Sequence, residues 1–230
     1  MLKSYFIAGT DTDVGKTWIT AGLARALRNI GIDVGVMKPF AAGNPQKIGF
    51  KSKDVEILSN AAKVNDPENL VNPQFFQIPA SPYTAMKNPN VHEKVDINLI
   101  LQCFKKLTEI HESIFVEGMG GIMTPILKNY FVTDLINDLN LESIIITRTR
   151  IGTLNHTIMT CKMAKQYGIR VKGIIINDID PDGYDVEILK DDIEDITGIS
   201  VLGSIPFFQT LDIDQMAKIF QNNFDLKILN

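Results

Sequence analysis

Two cysteines in 230 residues are too few for a disulfide framework. Cys103 and Cys161 each sit inside an amphipathic helical pattern and read as buried thiols of a reducing cytosol. Histidine is equally sparse. His92, His111 and His156 have no serine or cysteine partner at an informative spacing, so they read as structural or surface groups. No Cys/His cluster with metal-ligand spacing is visible. No apolar run approaches the roughly 18 residues that span a bilayer, and Met1-Leu2-Lys3-Ser4 carries no leader pattern. A cytoplasmic protein without membrane contact is expected. A net charge of −4 also leaves no basic footprint for nucleic acid or an anionic surface. Internal repeats and low-complexity segments are missing as well. What remains is an ordinary globular composition, long enough for one domain over 1–230 with a sizeable core.

The informative stretch comes first. Tyr5-Phe6-Ile7-Ala8 is a short apolar run, followed at once by Gly9-Thr10-Asp11-Thr12-Asp13-Val14-Gly15-Lys16-Thr17. A helical pattern then starts at Trp18 and continues to Ile30. Strand, glycine-bounded loop ending Gly-Lys-Thr, then helix is the context of a phosphate-binding P-loop. Its backbone N–H groups would cradle phosphate oxygens, Lys16 would reach the β- and γ-phosphates, and the Thr17 hydroxyl would ligate Mg²⁺. The loop is a variant, because five residues rather than the usual four separate Gly9 from Gly15. Asp13 is odd in it. A carboxylate in a polyphosphate loop repels its ligand unless a cation lies between them, so Asp13 faces either Mg²⁺, a cationic substrate group or solvent.

Further along, a second strand over 33–37 stops at Lys38-Pro39, and 40–51 reads as a loop. Helices are expected over about 53–63, 96–110, 133–140, 153–167, 186–197 and 212–222. Strands are expected at 113–116, 143–147, 171–176 and 201–203. The stretch 65–90, with Pro79-Ala80-Ser81-Pro82 in its middle, reads as a long irregular loop, and such loops tend to be functional. Strands alternating with helices, several of them continuous apolar runs, predict an α/β protein: a three-layer P-loop NTPase fold whose mainly parallel central sheet carries helices on both faces. Ligands of such sheets lie off the carboxyl ends of the strands.

Those ends carry Lys38, Glu117 and Asn177-Asp178 besides the P-loop. Lys38 is either a second cation beside the phosphates or a solvated lysine. Glu117, after Ile114-Phe115-Val116, resembles the acidic end of a Walker-B strand. Asp54 opens a helix, where its charge suits the dipole whatever else it does. Asn177 has the groups to pair with adenine, though Asn-Asp is also a turn dipeptide. Gly152-Thr153-Leu154-Asn155 opens a helix whose N–H groups suit a carboxylate, with capping by Thr153 as the plain alternative.

Taken together, Gly9–Thr17, Lys38-Pro39, Val116-Glu117-Gly118-Met119-Gly120-Gly121, Gly152-x-x-Asn155-His156, Asn177-Asp178 and Ile205-Pro206 resemble the dethiobiotin synthetases. The resemblance spans about Phe6 to Phe208. It implies a homodimer that takes 7,8-diaminononanoate, CO₂ and ATP to dethiobiotin, ADP and phosphate through a carbamate and its phosphoric anhydride. It implies Mg²⁺ held by Thr17, Asp54 and Glu117, and catalysis by Lys16, Lys38 and Thr12. Nucleotide contacts are implied for Asp13, Val14, Gly15, Lys16, Thr17, Trp18, Gly118, Met119, Gly120, Asn177, Asp178, Pro206, Phe207 and Phe208. Substrate contacts fall to Thr12, Lys38, Ala42, Ser81 and Gly121, with Gly152 and Asn155 reaching the substrate carboxylate across the dimer interface. Many relatives carry serine where this chain has Ala42, and Asp212 is the candidate for the ribose.

Three rivals share parts of this pattern. A partitioning or division-site ATPase would carry a signature lysine near the first glycine, where this chain has Thr10-Asp11-Thr12. An amidating synthetase of cobalamin synthesis would need a nucleophilic cysteine. A non-catalytic nucleotide module has no use for Lys16, Lys38, Asp54 and Glu117 together.

Overall fold

The computed structural model describes residues 3–210 and 212–229. In chain order the elements are β1 (Tyr5–Gly9), α1 (Lys16–Asn29), β2 (Val34–Met37), β3 (Phe40–Ala42), α2 (Lys53–Ala62), α3 (Glu68–Val71), β4 (Gln74–Phe76), α4 (Pro82–Ala85) and α5 (Ile97–Ile110). They continue with β5 (Ser113–Gly121), β6 (Pro125–Leu127), β7 (Tyr130–Phe131), α6 (Val132–Asp138), β8 (Glu142–Arg148), α7 (Thr153–Gln166), β9 (Val171–Asn177), α8 (Val186–Thr197), β10 (Val201–Ile205) and α9 (Ile213–Asn223).

Six strands form one sheet in the order β10-β9-β8-β1-β5-β2, with every pairing parallel. Period-two alternation divides its side chains between two cores. Tyr5, Ile7, Val34, Val36, Phe115 and Ile144 pack with Ile19, Leu23 and Leu27 of α1, Val55 and Leu58 of α2, and Phe220 of α9. Phe6, Ala8, Met37, Ile114, Val116 and Ile145 pack on the opposite face with Ile100 and Leu107 of α5, Leu135 of α6, Cys161 of α7 and Leu189 of α8. Both faces being covered is why these strands read as unbroken apolar runs.

Three local features depart from the sequence reading. β5 was expected to stop at Val116 and runs to Gly121, pairing Gly9 with Gly121. Its glycines bury no side chain, so no hydrophobic pattern marks them, yet a Cβ at Gly118 would sit 2.7 Å from the Phe6 ring. The stretch 65–90, expected to be irregular, contains α3, β4 and α4, and β4 pairs in parallel with β3 inside the expected 40–51 loop. Phe40 and Phe76 hold that pair down, ring centroids 6.4 Å apart and both side chains buried. The antiparallel pair β6–β7 was also unforeseen, being only three and two residues long.

Candidate active site

Beyond Gly9 the chain leaves the sheet and returns as α1, whose N-cap Gly15 has φ 89°. A Cβ there would lie 2.1 Å from Asn177 Nδ2, so only glycine fits both the backbone and the space. Asp13 is left-handed too, at φ 58°. Lys16 folds back over the loop and its ammonium donates to the Asp11 carbonyl at 2.8 Å. The same side chain crosses Gly9, where a Cβ would meet Nζ at 2.7 Å. That is the role of the first glycine in this longer loop. Burial pushes the Lys16 ammonium down to about 8; Glu117 opposes the shift and the like charge of Lys38 adds to it.

Strand parity aims the remaining charges. Lys38 follows β2 in the same phase as Val34 and Val36, and Glu117 in β5 shares the phase of Phe115, so both point to the face covered by α1 and α2. There Lys38 Nζ lies 2.6 Å from Glu117 Oε1 and 2.7 Å from Asp54 Oδ2, the latter in the first turn of α2. The Thr17 hydroxyl donates to the same Glu117 oxygen at 2.8 Å. Burial alone would lower the Lys38 pKa, but Glu117 and Asp54 outweigh it and hold the ammonium above the ordinary lysine value. The Lys38 main chain is held on both sides, its N–H donating to Val71 O and its carbonyl accepting from Asn72 Nδ2.

These groups line a cleft of about 740 Å³. Of the residues named from the sequence, Thr12, Asp13, Gly15, Lys16, Thr17, Trp18, Lys38, Ala42, Asp54, Ser81, Glu117, Gly118, Met119 and Gly120 all border it. The carboxylates fit a magnesium ion. Thr17, Asp54 and Glu117 offer only hard oxygen donors, and Glu117 Oε2 is buried without a hydrogen-bond partner among the described residues. Gly121 does not border the cleft, and a Cβ there would lie 3.3 Å from the Thr10 carbonyl.

The other named residues lie outside this cleft. Val14 is buried, and its carbonyl accepts from Asn177 Nδ2 at 3.0 Å, so one end of that amide is already engaged by the P-loop. Asp178 accepts from the Thr149 hydroxyl at 3.0 Å. Pro206 and Phe207 are exposed, and Phe208 packs against the α1-side core. Gly152, left-handed at φ 94°, caps α7, and Asn155 is exposed one turn in. Asp212, the ribose candidate, caps α9, one of its carboxylate oxygens accepting from the Asp214 and Gln215 amides. An aspartate followed by a helical pattern is a cap signal that local sequence does carry. His111 is structural: its ring lies between Asp33 and Asp66. Both cysteines are buried thiols, with burial pushing Cys161 up to about 11.

Two contributors escaped the sequence reading. Arg148, at the end of β8, donates to the Asp13 carbonyl at 3.3 Å and sits 3.7 Å from Asp180, which ties the P-loop to the loop after β9. Asn72 holds the Lys38 carbonyl from the turn after α3. A surface-type Arg or an Asn before proline signals neither role.

An AAA domain family model matches residues 3–215. An ATP-dependent dethiobiotin synthetase of Nitrosopumilus maritimus is 62% identical over 99% of both chains. One from Bacillus licheniformis is 38% identical over 99% of this chain and 96% of its own. The chain belongs to the dethiobiotin synthetase family. Among solved structures, a ParA family ATPase from Chlorobium tepidum matches with TM-score 0.54 at 18% identity, over 95% of this chain and 90% of that one. A MinC:MinD cell division complex of Aquifex aeolicus matches at TM-score 0.57 and 16% identity, over 96% and 88%. These likenesses show the P-loop ATPase fold alone. The synthetase family, by contrast, matches end to end.

Proposed function

We propose that the chain is a single-domain, cytoplasmic dethiobiotin synthetase of biotin biosynthesis, closing the cyclic urea of dethiobiotin from 7,8-diaminononanoate, CO₂ and ATP. One substrate amine adds to CO₂ and loses a proton, giving a carbamate. A carbamate oxygen attacks the γ-phosphorus and releases ADP, and the second amine attacks the carbamoyl carbon and expels phosphate.

The reading is carried by the pairing of Lys16 and Lys38 with Thr17, Asp54 and Glu117 around one cleft. Two anions, carbamate and γ-phosphate, must approach each other, and that requires concentrated positive charge. Lys16 neutralises the γ-phosphate as it transfers, and Lys38 orients the carbamate. Thr12 and Ser81 position the diamine, with Ala42 leaving an apolar wall where a hydroxyl is common. The N–H groups of 13–18 hold the phosphates, and Glu117–Gly120 close over them. Asn177, Asp178 and 206–208 frame adenine. Thr17, Asp54 and Glu117 would hold Mg²⁺, which would supply neutralisation of the phosphate charge.

A homodimer fits the exposed apolar face at the start of α7. Ile151 and Met159 are 68% and 50% exposed and flank Asn155 at helical spacing. A second copy there would bring Gly152 and Asn155 to the substrate carboxylate.

The test is phosphate release with MgATP and bicarbonate, with and without the diamine, and product mass. Diamine-dependent release with dethiobiotin formed is expected, lost by at least about 100-fold in Lys16→Ala and Lys38→Ala. Turnover indifferent to the diamine would return the chain to the partitioning or division-site ATPases.

A further inference from the structure

Lys38 occupies an unusual position for a residue expected to meet an anionic substrate. It is only 6% exposed, and its ammonium is bonded to two carboxylates at 2.6 and 2.7 Å. Those are the same carboxylates whose chemistry suits magnesium.

The pair already holds one cation. Glu117 Oε1 already accepts from Lys38 and from the Thr17 hydroxyl, while Oε2 has no hydrogen-bond partner among the described residues. Magnesium demands near-octahedral oxygen ligands at about 2.0–2.1 Å. An ion at that distance from Asp54 and Glu117 would stand within a few ångströms of the ammonium. In a buried site such like charges repel strongly.

The Lys38 main chain is fixed, so any yielding falls to its side chain. Its N–H and carbonyl are bonded to Val71 and Asn72, and Pro39 follows. Its four-carbon stem is flexible, and Thr12, Ser81 and Gly118 border the same cleft.

Taking Asp54 and Glu117 as magnesium ligands, the reading on which this inference rests, we propose that the Lys38 ammonium and the metal are alternative occupants of that pair. Lys38 is the resident counter-ion of the metal-free enzyme, and metal binding turns it out towards the substrate anions. Lys38 is thereby a positioning switch as well as a substrate contact. It keeps two carboxylates compensated, and it becomes available to the carbamate only once the metal is seated.

The experiment titrates magnesium chloride, without nucleotide, into the wild-type protein and Lys38→Met. It is read by calorimetry and by the emission of Trp18, the one tryptophan of the chain, which borders the cleft. Removing the competing charge is expected to tighten magnesium binding by at least about tenfold. In chelator Lys38→Met should melt below the wild type, and magnesium should restore it, whereas the wild type responds little. A variant that folds only with magnesium present supports the exchange equally. Affinity unchanged or weaker in Lys38→Met overturns it.

Should the variant fold under neither condition, the wild type decides. Its ¹³Cε-lysine spectrum, with the Lys38 signal assigned by its loss in Lys38→Arg, must shift on adding magnesium and ADP. A Lys38 signal that stays put with the complex formed overturns the proposal. No magnesium binding to wild type even with ADP would instead bring down the metal reading itself.

Discussion

Lys16 stores a cost that its ligand relieves. Its pKa of about 8, against 10.5 ordinarily, means that the nucleotide-free fold disfavours the charged form. The difference corresponds to about 3 kcal/mol, present in full below pH 8, where both folded and unfolded chains hold the proton. Between about pH 8 and 10.5 the folded chain releases that proton first, so stability from this group rises with pH. Lys16→Met should therefore be more stable than wild type by about 3 kcal/mol at pH 7, with the gap closing by pH 10.5. Urea denaturation at a series of pH values measures it. A gap independent of pH would mean that the ammonium is not desolvated. Bound phosphate supplies the missing counter-charge, so the strain serves as affinity.

At the scale of elements, the start of α7 is tied to the sheet by hydroxyls as well as by the apolar packing of Leu154. Thr147 of β8 lies 2.7 Å from the Thr153 hydroxyl and 2.8 Å from that of Thr157, all three buried. Thr10, in the P-loop, donates to the same Thr147 oxygen at 3.4 Å. Thr147→Val keeps the volume but leaves buried hydroxyls short of a partner, at about 1–3 kcal/mol. We expect a lower denaturation midpoint and a KM for the diamine that rises more than that for ATP, because Gly152 and Asn155 ride on this end of the helix. Equal changes in both KM values would show that the cluster supports the P-loop alone. The strand-to-helix order around each of these elements was legible from hydrophobic periodicity. The hydroxyl cluster was not, because three threonines spread over eleven residues look like ordinary strand and cap residues until they converge.

For the molecule as a whole, the proposed dimer makes the plainest prediction. Light scattering should give twice the chain mass, and Met159→Asp should halve it while raising the KM for the diamine more than that for ATP. A wild-type monomer fully active on the diamine would remove the partner from the substrate site. Among the described residues no helix is long and apolar enough to cross a membrane.

The sequence by itself determined the sheet and its P-loop, because apolar runs, Gly15 and the Lys16-Thr17 pair are local signals that need no partner to be read. It also named Lys38, Asp54 and Glu117 as separate strand-end and helix-start charges. The family resemblance put the two carboxylates in one site, and only the tertiary structure decided that Lys38 pairs with both. β5 inserts between β1 and β2, which sets Glu117 beside Lys38 across 79 positions of chain. The start of α2 then adds Asp54 from a segment whose own pattern says nothing about its neighbours. Pairings of that kind are settled by strand order, which cannot be read from the residues next to the group concerned.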